Sequence, residues 1–147
     1  MNCFFDTSAL AKLFQKEEGS DFVEKLINAP ENDIWILDFT RIELLSSVYR
    51  RYRQKEISDK ELEIILDAFD EQLMEFNQES LGPAVVFEAE QLMNDYGKIQ
   101  GLRSLDALQL GACKMLNTTE WRFVCSDKRL CAIARLCKIM VLNPLEG

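Results

Sequence analysis

Four carboxylates in this 147-residue chain, Asp6, Glu43, Asp106 and Asp127, stand where a strand hands over to a helix or where a helix begins. Brought to one place, such acids suit one chemistry above others: oxygen ligation of a hard divalent cation, Mg²⁺ or Mn²⁺. The chain has no histidine. That removes the commonest general base, the Ser-His and Cys-His nucleophile pairs and the imidazole ligands of most catalytic zinc sites. Catalysis by this sequence must rely on carboxylates, on lysine or tyrosine, or on an oxygen-bound ion.

Each acid also has a purely structural explanation. Asp6 and Asp127 read as helix N-caps. Glu43 is the third helical position of a Thr-x-x-Glu capping box opened by Thr40, and Asp106 lies in a first helical turn, where the macrodipole favours negative charge. Two features exceed those explanations. Asp106 and Gln109 share one face of a helix that is otherwise apolar, and a carboxylate entering a buried helix is costly unless paired or metal-bound. Strands ending at Asp6 and Asp127 in a parallel sheet also display both acids at one edge, toward which the Glu43 and Asp106 helices start. Carboxylates within ~4–6 Å of one another resist ionisation unless a cation neutralises them.

The elements that must position these acids follow from patterning. An apolar run over Cys3 to Phe5 predicts a strand that stops at Asp6, with a helix starting at Ala9. Asp21 to Asn28 predicts a helix and Ile34 to Leu37 a buried strand. Two long helices come next, one opened by Thr40 and running toward Arg53, the other opened by Ser58-Asp59-Lys60-Glu61 and continuing to Leu73. They are expected to pair antiparallel. Asn77 to Gly82 is open between loop and short edge strand. Pro83 starts a helix that runs to Tyr96, and Ser104 caps another from Leu105 to Leu116. Trp121 to Cys125 is a strand, Leu130 to Leu136 a helix, and Lys138 to Leu142 a last strand closed by Asn143-Pro144. Strands alternating with helices, without hairpin signals, imply an α/β fold with a parallel sheet covered on both faces.

Composition sets the outer bounds. The length suits one domain, 1–147, with one sizeable core. Seventeen basic against 25 acidic residues, a net charge of −8, excludes sequence-blind coating of nucleic acid by a uniformly basic surface, while leaving room for a local strip at Arg41, Arg50, Arg51, Arg53, Lys55 and Arg103. The five cysteines lack Cys-x-x-Cys spacing and read as reduced core residues of a cytoplasmic protein. No segment approaches the ~18 apolar residues of a membrane span, and no basic leader precedes the first apolar run.

Four blocks carry a resemblance: Phe5-Asp6-Thr7-Ser8-Ala9-Leu10, Thr40-Arg41-Ile42-Glu43-Leu44-Leu45, Leu102-Arg103-Ser104-Leu105-Asp106-Ala107-Leu108-Gln109-Leu110 and Phe123-Val124-Cys125-Ser126-Asp127-Lys128-Arg129-Leu130. In order and spacing the set resembles the PIN-domain ribonucleases, most closely the VapC-like toxins of toxin–antitoxin pairs, over Asn2 to Pro144. The resemblance implies a three-layer α/β/α sandwich with a central parallel sheet and an acidic pocket at its carboxyl edge. It further implies Mg²⁺- or Mn²⁺-dependent RNA cleavage, homodimerisation and silencing by a small antitoxin. Carried over residue by residue, Asp6, Glu43, Asp106 and Asp127 become the catalytic, metal-binding acids, with Ser8 or Thr7 as a hydroxyl neighbour. The chain departs from the family twice. Cys125 stands where Thr is frequent, which removes a hydroxyl bond expected near Asp127 and leaves Ser126 as the nearest replacement. Gln109 stands where His is frequent and is not expected to catalyse.

Other classes fit less well. A receiver domain needs paired aspartates after its first strand and a lysine after its last, and a haloacid-dehalogenase-type phosphatase needs Asp-x-Asp where this chain has Asp6-Thr7-Ser8. The alternatives left within the resemblance are a housekeeping RNA-processing nuclease without an antitoxin and a catalytically silent binding module. Leu13, Phe14, Phe22 and Leu26 with the long-helix pair are candidates for a groove that takes an antitoxin helix. An antitoxin arginine reaching the acids is electrostatically reasonable.

Overall fold

The computed structural model describes residues 1–117 and 121–146. Its first strand, β1 (Asn2–Phe5), ends one residue before Asp6 and leads into α1 (Thr7–Leu10), which tightens into a 3₁₀ turn over Ala11–Leu13. α2 (Ser20–Asn28), β2 (Asp33–Leu37), α3 (Thr40–Arg53) and α4 (Asp59–Leu73) follow. β3 (Asn77–Glu79), α5 (Pro83–Tyr96) and α6 (Ser104–Leu116) lead to β4 (Trp121–Val124), α7 (Lys128–Leu136) and β5 (Val141–Leu142).

All strand pairings are parallel, in the order β3-β2-β1-β4-β5. The chain winds from β1 outward to β2 and β3, then returns to the other side of β1 for β4 and β5. The gap between the carboxyl ends of β1 and β4 is therefore a topological switch point, where open α/β sheets form their ligand crevice. Asp6 and Asp127 follow these two strands. Side chains alternate between faces with the period of a strand. Phe4, Leu37, Trp121 and Phe123 pack with Leu92, Leu110 and Leu130 on one side. Cys3, Phe5, Ile34 and Ile36 pack with Leu44, Val48 and Phe69 on the other. The sheet is thus covered on both faces, as the patterning predicts.

Three local expectations change. Thr40 does not cap α3: Phe39 before it is already helical (φ −62°, ψ −19°), so Thr40 lies one residue inside and makes no box with Glu43. A capping side chain needs extended backbone at the cap to turn its oxygen back onto the third helical N–H. Ser58 has that conformation and forms the reciprocal box with Glu61. Likewise Arg103, not Ser104, occupies the N-cap position of α6, with no side-chain cap. The last strand is shorter than expected because Lys138 takes a left-handed conformation (φ 62°) where α7 ends. The polar stretch after α4 does form an edge strand, β3, paired with β2. Among the described residues, no helix is long and apolar enough to cross a membrane.

α6 packs closely on α5 because Gly111 has no side chain. A Cβ there would meet the Ala89 backbone nitrogen at 3.0 Å and its Cα at 3.3 Å. Gly111→Ala is expected to destabilise the protein, since overpacking of about 1–3 kcal/mol outweighs a helix-propensity gain of about 1 kcal/mol. Urea unfolding checks this, and an unchanged or raised midpoint would show that the two helices separate freely.

Candidate active site

Asp6 is the most enclosed of the four acids, 3% exposed. Its Oδ1 accepts the Ala9 N–H at 3.0 Å, so it is the cap of α1, but its carboxylate has further partners. The Ser8 hydroxyl lies 2.8 Å from both oxygens, and the Cys125 thiol reaches Oδ2 at 3.4 Å. Ser8 ties the two strand ends together, since its Oγ also accepts the Ser126 N–H at 3.3 Å. Burial pushes the Asp6 carboxyl up to about 6 against these hydrogen bonds, and the charge of Asp106 adds to the rise. The Cys125 thiol thus faces Asp6, not the Asp127 side chain beside which the family pattern puts a hydroxyl.

Glu43 is held by a second network. Its Oε1 accepts the Thr7 hydroxyl at 2.8 Å and the Gln109 amide at 2.8 Å. Gln109 is 2% exposed, and its Nε2 also approaches Thr40 Oγ1 at 2.8 Å and Thr7 Oγ1 at 3.1 Å. Its Oε1 is buried without a partner. The face shared by Asp106 and Gln109 therefore carries one acid toward the cleft and one amide that joins α1, α3 and α6.

Asp106 and Asp127 form the third group. Asp127 caps α7 by accepting the Leu130 N–H at 2.9 Å through Oδ1. Its Oδ2 faces the Arg103 guanidinium at 3.6 Å, and Asp106 Oδ2 faces the same nitrogen at 3.4 Å. Capping takes Oδ1 and leaves Oδ2 to face Arg103. Burial raises the Asp106 carboxyl above its ordinary value, Arg103 opposes that rise, and the Asp127 charge adds to it. A cleft of about 400 Å³ opens over Glu43, Arg103, Ser104, Leu105 and Asp106.

The four acids lie in three hydrogen-bonded groups around one sheet edge. The charge of Asp106 bears on Asp6, and Asp106 and Asp127 share Arg103. Among the described residues, no three Asp, Glu or Cys side chains are grouped tightly enough to hold an ion as they stand. The donor set is all oxygen apart from the thiol, and Asp6 and Asp106 carry charge that burial disfavours. By donor chemistry the group suits a hard cation.

The expected basic strip divides. Arg41 pairs with Asp70 of α4, Arg51 is half-buried beside Glu56 at 3.7 Å, and Arg50, Arg53 and Lys55 are exposed at the end of α3. Arg103, grouped with that strip in the sequence, sits on the acids. The apolar candidates also separate. Phe14 packs edge-on against Phe69, with ring centroids 4.7 Å apart, in a slot with Leu44 and Ile65, while Phe22 lines a different pocket with Pro144 and Leu145.

A parallel sheet with acids at its switch point is the architecture of a known class. The chain belongs to the PIN-domain family, whose model matches residues 3–136. Solved structures share the fold. FitAcB from Neisseria gonorrhoeae superposes with a TM-score of 0.73 at 16% identity, covering 99% of each chain. VapBC from Salmonella typhimurium bound to DNA gives 0.70 at 14% identity over 98% of each chain. VapBC2 from Rickettsia felis, bound to a DNA fragment from their promoter, gives 0.66 at 18% identity over 97% of this chain and 98% of that one. No curated protein matches the sequence. At these identities the likeness to the solved structures establishes the fold.

Proposed function

We propose that this chain is a metal-dependent endoribonuclease, the toxin of a toxin–antitoxin pair, which hydrolyses RNA phosphodiester bonds at the Asp6, Glu43, Asp106 and Asp127 cleft. The observation that carries the reading is the gathering of these acids, from four separate elements, at the switch point of a PIN-family sheet. The toxin assignment draws on the FitAcB and VapBC likenesses, and it implies a small antitoxin as partner.

Asp6, Asp106 and Asp127, with Glu43, would hold Mg²⁺ or Mn²⁺, which when bound stabilises developing phosphoryl charge and acidifies a coordinated water. The chain's own residues prepare for this. Ser8 and the Ala9 N–H fix the orientation of Asp6. Gln109 and Thr7 fix Glu43 at the cleft wall. These hydrogen bonds settle the positions of Asp6 and Glu43 before substrate arrives, the preorganisation on which electrostatic catalysis depends. Arg50, Arg53 and Lys55 supply exposed positive charge for the RNA backbone.

The test is cleavage of a mixed pool of structured RNAs by protein freed of co-purifying partners, with Mg²⁺, Mn²⁺ or EDTA. Asp127→Asn is the informative variant, because asparagine caps a helix as well as aspartate does. It is expected to leave the melting temperature nearly unchanged while cutting metal-dependent cleavage by about 100-fold or more. Asp106→Asn is expected to do the same to activity. Cleavage that persists in EDTA, or both variants cutting at the wild-type rate, would overturn the assignment. Suppression of cleavage by the product of a small adjacent open reading frame checks the toxin half.

A further inference from the structure

We infer that Arg103 is a built-in counter-charge that holds the acidic cleft in a resting arrangement and is displaced when a divalent cation binds. This deepens the proposed function and rests on its reading of the acids as a cation site. Arg103 occupies the N-cap position of α6, where a short polar side chain would ordinarily bond the helix N–H groups, yet it makes no side-chain cap. Its guanidinium instead spans two acids from different elements, through one nitrogen 3.4 Å from Asp106 Oδ2 and 3.6 Å from Asp127 Oδ2. An arginine fully committed to carboxylates makes paired, shorter contacts of about 2.7–2.9 Å.

The hold is loose by exposure as well. The Arg103 side chain is 68% exposed, and ion pairs so open to water contribute little. A divalent cation seeking the same Oδ2 atoms brings twice the charge and repels the guanidinium. Arg103 also leaves part of the site uncompensated. Among the described residues Arg103 pairs with Asp106 and Asp127 and not with Asp6, which is 3% exposed, so a cation that touches Asp6 gains what Arg103 does not supply. With one guanidinium between Asp106 and Asp127, the acids are spaced for an arginine and are not grouped for an ion. Once displaced, Arg103 stays on the wall of the cleft it lines, as a planar donor suited to a phosphate.

Arg129 provides the control. Its charge also bears on Asp106, but it makes no ion pair with the acids among the described residues. Mn²⁺ affinity, read from the loss of the free-ion electron paramagnetic resonance signal, should be compared for wild type, Arg103→Gln and Arg129→Gln in physiological salt. Arg103→Gln is expected to bind about threefold to tenfold more tightly than wild type, and Arg129→Gln to change by about twofold at most. In wild type, the Arg103 guanidinium N–H resonance is expected to move toward that of free arginine on Mg²⁺ addition, while that of Arg129 stays. If wild type binds Mn²⁺ and Arg103→Gln binds no more tightly than Arg129→Gln, the displacement is wrong and the cation site stands. If folded wild type and Arg103→Gln both bind no Mn²⁺, the site itself is wrong.

Discussion

Asp6→Asn is expected to abolish metal-dependent cleavage and yet to stabilise the metal-free protein at neutral pH by about 3 kcal/mol, the equivalent of moving a buried carboxyl from 3.8 to about 6. The folded protein keeps the Asp6 proton up to about pH 6, whereas the unfolded chain releases it near pH 4. Between these values the folded state binds more protons, so wild-type stability falls as pH rises from about 4 to about 6 and then levels. Asparagine keeps the shape, its Oδ1 can still accept the Ala9 N–H, and it carries no charge to desolvate. Urea unfolding in EDTA across this range checks the expectation: the variant's advantage should vanish near pH 4 and be complete above pH 7. Parallel profiles would mean that the Asp6 carboxylate is solvated in the folded state. Adding Mn²⁺ should reverse the order, because a cation that binds only the folded wild type stabilises it by mass action. The acid is thus kept at a cost to the metal-free fold, which structural capping alone does not explain.

The position of Asp6 was legible because its signal is local: an apolar strand, a carboxylate, then helical periodicity within eight residues. Asp127 has the same signature. The parallel sheet followed from strands alternating with helices, and the shared carboxyl edge from the strands that end at Asp6 and Asp127, while the strand order that makes a switch point between β1 and β4 has no local signal. The capping role that the spacing suggests for Glu43 does not form. The spacing Thr40-x-x-Glu43 fits a capping box, but whether threonine sits at the cap or one residue inside depends on the turn before it. Asp38 fixes that turn from a distant segment: its N–H bonds Glu79 O at 2.9 Å, and its carboxylate accepts the Leu81 N–H at 3.0 Å. Gln109 joins residues 102, 69 and 66 positions away, contacts that no local pattern encodes. Its one sequence trace was a polar side chain on an apolar helix. Arg103 was half legible, as its i, i+3 relation to Asp106 was available but its reach to Asp127 was not.

Gln109→Glu tests that second network most severely, and it is expected to destabilise the protein at neutral pH by about 3–5 kcal/mol, the cost of an uncompensated buried charge. The substitution keeps the side-chain shape but turns the amide that donates to Glu43 at 2.8 Å into a second carboxylate at the same place. Thr40 can rotate its hydroxyl to donate to the new oxygen. Nothing donates in place of the amide to Glu43, and two carboxylates in contact cannot both ionise there. The introduced carboxyl therefore holds its proton in the folded state above its unfolded value of about 4.3. Its stability deficit is small below that value and grows as pH rises. Gln109→Met separates this from the loss of hydrogen bonds alone. It removes the amide donor from Glu43, Thr7 and Thr40, leaving Glu43 the Thr7 hydroxyl, at a cost of about 1–3 kcal/mol, with no comparable dependence on pH. Denaturant unfolding of both variants from pH 4 to pH 8 distinguishes the cases. Two flat, equal deficits would mean that Gln109 does not touch Glu43, and the site would then lose the contact that fixes its second acid.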